Sequence, residues 1–166
     1  MGVNVLMIVP KRRRRKRRAI DDIKRGVALF IVFLGLSLVV HETFHLVVAR
    51  ALGYEPDIFY RVEFPNVYGT VHLDRSCESS IHTILIFSAG GLGAGLVFYI
   101  LWSTIDDIIA KLLLSFFTSM QVVYGIIEPL YGFGLVGRDA LGTVPIIAGI
   151  ITMIIFRIIY RRLGWW

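Results

Sequence analysis

Four long apolar stretches divide the chain: Gly26 to Leu52, Ile81 to Trp102, Leu112 to Ile127 and Val144 to Tyr160. Some 20 apolar residues form a helix that crosses roughly 30 Å of hydrocarbon, so the pattern predicts about four transmembrane helices. The third is short unless it continues past Pro129. Gly53 and then Pro56 predict where the first stops. Only one region alternates as strands do: Ile58 to Phe64 and Val67 to Leu73 are rich in β-branched and aromatic residues. They flank Pro65-Asn66, a turn pair. The expected fold class is an all-α membrane protein with a small β-hairpin between its first two helices.

Composition agrees. The 166 residues are 56% hydrophobic, with a mean hydropathy of +0.71, which excludes an ordinary soluble domain. Residues 26–166 read as one membrane-embedded core and residues 1–25 as a basic amino-terminal tail. Lys11 to Arg18 are eight consecutive cations, more than the whole net charge of +6. Beside a first membrane span such a run sets topology and touches anionic lipid. It does not point to nucleic acid, because no reader module surrounds it. Val3 to Val9 is too short to span and precedes the cations, the wrong order for a secretory signal. The Gly26 helix therefore reads as an uncleaved anchor, with the amino terminus in the cytoplasm. Cys77 is the single cysteine and allows no internal disulfide.

Small residues crowd the second stretch, Ser88-Ala89-Gly90-Gly91-Leu92-Gly93-Ala94-Gly95, with Gly91 and Gly95 at the G-x-x-x-G spacing that lets helix backbones approach. Close packing against the first helix is expected. Asp106, Asp107 and Lys111 mark the turn after it; Arg157, Arg161, Arg162, Trp165 and Trp166 mark an interface at the end of the fourth. Phe30, Phe33 and Leu34 face lipid or core.

The chemistry lies late in the first stretch. His41-Glu42-Thr43-Phe44-His45 is H-E-x-x-H; on a helix it sets two imidazoles one turn apart on one face, where both can bind one zinc ion, with Glu42 placed as general base. Ionisable groups within an apolar span are costly and mark function. Counted from Gly26, His41 lies about 22 Å along the helix at 1.5 Å per residue, inside the bilayer and nearer its far side. A hydrolytic zinc site needs a third protein ligand. The first and third helices run in the same direction, so acids after the third can reach the pair. Asp139 is the favoured ligand and Glu128 the alternative; Glu128 can otherwise accept a hydrogen bond from a ligating imidazole. His72 and His82 lie on the same side. The hairpin edge at Tyr68, Gly69 and Thr70 can capture an extended substrate by main-chain pairing.

These motifs in this order, HETFH late in one span, a hairpin, Ser88 to Gly93, then an Asp after a Pro-containing segment, resemble the site-2 protease family of intramembrane zinc metalloproteases. The likeness runs from about Leu34 to Tyr160, and Asp139-Ala140-Leu141-Gly142-Thr143-Val144-Pro145 is similar to a compact branch of that family. The resemblance implies Zn(2+) held by His41, His45 and Asp139, with Glu42 catalytic. The implied activity is endopeptidase cleavage of a transmembrane or membrane-associated protein by metal-activated water. It also implies a zinc site facing the cytoplasm, whereas the basic residues place the HETFH end outward. The usual Asn-and-Pro motif before an Asp-Gly pair is absent: Glu128-Pro129 replaces it, and Ala140 follows Asp139. The alternative is a metal-binding membrane protein without hydrolysis, such as a transporter, a sensor or a non-catalytic homologue that binds a partner. Either fits a monomer or an oligomer.

Overall fold

The computed structural model describes residues 11–63 and 66–164. Its elements run α1 (Lys11–Ala51), β1 (Asp57–Glu63), β2 (Asn66–His72), α2 (Ser80–Thr104), α3 (Ile108–Gly132) and α4 (Arg138–Arg162). Four helical segments are long and apolar enough to cross a membrane, the first from Ala19 to Ala51. The fold class expected from the pattern is the one observed. Pro65 of the expected turn, residues Val3 to Val9, and Trp165 and Trp166 lie outside the described residues.

One boundary differs from the sequence reading, and one that it left open is settled. The basic run is continuous with the first membrane helix, since α1 starts at Lys11. Pro129 does not break α3, which runs on to Gly132. A proline costs a helix the hydrogen bond its N–H would make to the residue four before it. In the last turn that leaves a single carbonyl, that of Gly125, without its partner, and Phe133 N–H closes the end on Pro129 O at 3.0 Å.

Local signals end and start the other helices. Gly53 takes φ +85°, a conformation open to glycine. Tyr54 N–H then returns to Ala49 O at 3.1 Å and stops α1. Ser79 caps α2 by accepting from His82 N–H, and Asp107 caps α3 by accepting from Ala110 N–H. Between α1 and β1, Asp74 Oδ1 accepts from Glu55 N–H at 3.0 Å. That bond, and then the neighbouring Arg75, hold the Asp74 carboxyl below the usual carboxylate range. Arg75 also donates to Gly53 O at 3.0 Å and stacks over the Tyr54 ring, so both ends of the hairpin are tied to the end of α1.

The helices α1 and α3 run side by side in one direction. Arg25 pairs with Asp107 at 2.9 Å near one end, and His41 meets Glu128 at the other. Between these lies a core of rings. Phe98 stacks on Phe117 at 5.3 Å, Phe33 packs edge-on to both, and Leu114 fills the space beside them. Thus Phe33 is core, whereas Leu34 is half exposed, toward lipid. The hairpin is antiparallel, pairing Tyr60 with Gly69 and Ile58 with Val71. It packs against α1 through β2 more than β1.

Candidate metal centre

His41 and His45 lie on the buried face of α1, each 8% exposed, with Glu42 at 6%. The second helix makes room for them. A methyl on Gly90 would fall 2.2 Å from His45 Nε2, and one on Gly93 would strike the Phe44 ring. Gly91 and Gly95 face the other way: a methyl on Gly91 would lie 2.1 Å from Gly125 N of α3. The expected G-x-x-x-G pair therefore packs on α3, and Gly90 with Gly93 admits the histidine helix.

Each imidazole is held by its Nδ1. His45 Nδ1 lies 2.6 Å from Ile86 O, a carbonyl that can only accept, so this nitrogen carries the proton. His41 Nδ1 lies 2.7 Å from Gln121 Oε1. The Gln121 amide is oriented by its other end, where Nε2 donates to Ser37 Oγ, so its oxygen faces His41 and accepts. Both Nε2 atoms are then lone-pair donors to a cation, and they face each other at 3.0 Å. Glu128 completes the cluster: Oε1 is 3.1 Å from His41 Nε2, and Oε2 is 3.4 Å from His45 Nε2. Glu128 Oε2 is buried with no hydrogen-bond donor.

Two imidazole nitrogens and a carboxylate thus converge on one point, an arrangement that repels itself unless a metal ion or a shared proton sits within it. Their ligand atoms lie within 4.8 Å of one another, so this group can hold a metal ion. Bonds of about 2.0 Å in a tetrahedral set leave roughly 3.3 Å between ligand atoms. The two Nε2 atoms, 3.0 Å apart, lie near that edge, and each has one of the two Glu128 oxygens at 3.1 or 3.4 Å.

Asp139 is not part of this group. It is exposed in the first turn of α4, where a carboxylate offsets the partial positive charge of the helix start. The correction follows from α3: because the helix continues through Pro129, Glu128 stays on the inner face, and the acid beyond the Gly134 turn is carried outward. Of the other two histidines, His82 Nδ1 receives the Tyr54 hydroxyl at 2.8 Å, and His72 packs its ring against Phe59.

The hairpin closes the site from above. A methyl on Gly69 would lie 2.4 Å from Glu42 Cγ, so β2 rests directly on the carboxylate-bearing side chain. A cleft of about 170 Å3 opens beside it, lined by Glu42, His45 and Glu128 at its base and by Gly69, Thr70 and Val71 of β2. Thr70 and Gly69 of the expected capture edge therefore border the cluster. Tyr68 is on the same strand, opposite Arg61.

Gln121 and Ser37 were not singled out in the sequence. The signal was present: Gln121, Tyr124, Gly125 and Glu128 recur at i, i+3, i+4 and i+7, one face of a helix, with two polar members in an apolar span. No protein-family model, curated protein or solved structure matches this chain.

Proposed function

We propose that this protein is a zinc-dependent endopeptidase working within the membrane, with the catalytic end of the bundle covered by its hairpin. The observation that carries the reading is the placement of Glu42. It is a buried carboxylate on the H-E-x-x-H helix, opening onto the same cleft as His45 and Glu128. Metal binding alone has no need of a carboxylate outside the ligand set. Two histidines and a glutamate are a donor set used by catalytic zinc, which leaves one coordination position open.

His41, His45 and Glu128 would hold a zinc ion, which would supply Lewis acidity toward a water and the scissile carbonyl. The remaining work falls to the chain. Glu42 accepts the proton of the attacking water and returns it to the departing amine nitrogen as the C–N bond breaks. Gln121 and the Ile86 carbonyl hold the two imidazoles in the tautomer that directs Nε2 inward. The β2 edge at Tyr68, Gly69 and Thr70 receives the substrate as an extended strand, since the peptide bonds of a helix are closed by their own hydrogen bonds. The substrate is a transmembrane or membrane-associated protein that unwinds locally at this edge.

Glu42→Gln is expected to abolish cleavage of a membrane-protein reporter reconstituted with the purified chain, while one zinc per chain is retained. His41→Ala is expected to lose both. Cleavage that survives Glu42→Gln rejects the mechanism. One metal per chain with no cleavage of any membrane reporter would move the protein to the metal-sensing or transporting class.

A further inference from the structure

The cleft beside Glu42 has a definite size and lining, and both bear on what enters it. Beyond its polar base, the walls are Val71 and Leu73 from the hairpin side and Ile86 and Phe87 from α2. Val71 has the same strand parity as Gly69, which puts its side chain on the face turned to Glu42. Ile86 is only 4% exposed, and its carbonyl holds His45. The wall on α2 is therefore fixed to a metal-facing residue and cannot retreat without disturbing it. The Phe87 ring is seated against α3, where a methyl on Gly132 would come within 3.3 Å of it.

About 170 Å3 is available. A water in the liquid takes about 30 Å3, and an apolar cavity of about 150 Å3 holds a benzene. With a water present, the cleft has room for one branched aliphatic side chain and none for an indole. These four side chains are hydrocarbon, so a charged or amide side chain laid against them, away from the polar base and Thr70, would be stripped of water without a partner.

The geometry points to a specificity subsite: the cleft between β2 and α2 takes one short aliphatic side chain of the extended substrate, next to the bond that is cut, and Phe87 sets its upper size. This rests on the zinc-peptidase reading and deepens it. Substrates are then membrane proteins whose unwound segment presents Ala, Val or Leu at that position, not Trp.

The test uses the full-length zinc-loaded protein in phosphatidylcholine vesicles with a mixed library of apolar peptides, the cut positions being read by mass spectrometry. One position flanking the cut should be enriched at least tenfold in Ala, Val and Leu over Trp, the scale that a hydrocarbon pocket can reach. Phe87→Ala should remove that preference, and Phe87→Leu, which changes the packing less, should reduce it. A second readout is independent of turnover: N-acetyl-leucine hydroxamate should bind at least tenfold more tightly than N-acetyl-tryptophan hydroxamate, with the gap closed in Phe87→Ala. Cleavage that needs Glu42 but ignores side-chain size on both sides of the cut overturns the subsite alone. Absence of both cleavage and hydroxamate binding overturns the subsite together with the peptidase reading beneath it.

Discussion

At the end of the bundle marked by Arg25 and Asp107, space between helices is filled with rings. At the end marked by His41 and Glu128, it is kept clear by glycines. Phe98 and Phe117 are fully buried in the first region, and their contacts depend on bulk. In the second, Gly90, Gly91 and Gly93 are positions where even a methyl would collide with a neighbour. Lipid gives helices little hydrophobic reason to associate, so packing and internal polar contacts must do it. The ring end meets that need by volume. The glycine end meets it by backbone approach, which also brings three possible ligand atoms from two helices close enough together to hold one ion.

This contrast predicts that stability and metal binding come apart. Phe117→Ala should cost the most stability, about 3–5 kcal/mol for a large buried ring. The folded fraction should still bind zinc as the parent does, as read by denaturation and by metal content after refolding. Gly91→Ala should cost less, about 1–3 kcal/mol, yet lose most of the metal, because α3 must move away with Glu128 upon it. If both variants lose metal in proportion to stability, the two regions are one cooperative unit and the contrast fails.

Smaller changes sharpen the second region. Gln121→Leu leaves His41 Nδ1 without its acceptor and should weaken zinc binding about 10- to 100-fold, the usual cost of removing such a support. Gln121→Glu, which keeps an acceptor there, should retain it; competition with a chromophoric chelator reads both. Asp139→Ala should be nearly silent, within about 0.5 kcal/mol in stability and with unchanged zinc affinity. A marked loss of zinc in Asp139→Ala would return that residue to the ligand set.

The helices, the hairpin and the histidine pair were legible because each has a local signature: apolar length, alternation, or i, i+4 spacing. Gly53 as the end of α1 was legible for the same reason. The third member of the candidate metal group was not, since choosing between Glu128 and Asp139 depends on whether α3 ends at Pro129. A proline there can stop a helix or merely delete one bond in its last turn. Packing decides: Gly125, one turn earlier, lies against Leu92 of α2, and the continued helix keeps Glu128 beside the histidines. Ser37 and Gln121 were hidden differently, as ordinary polar residues whose meaning arises only when α1 and α3 meet.

The contact between Gly69 and Glu42 has one more consequence. A strand that slides by a single residue turns its whole set of side chains over, and a slide of β2 would seat Tyr68 or Thr70 where a methyl already has no room. A misaligned hairpin could settle onto α1 only by displacing the Glu42 side chain. A check on strand alignment is thereby built into the acidic side chain itself.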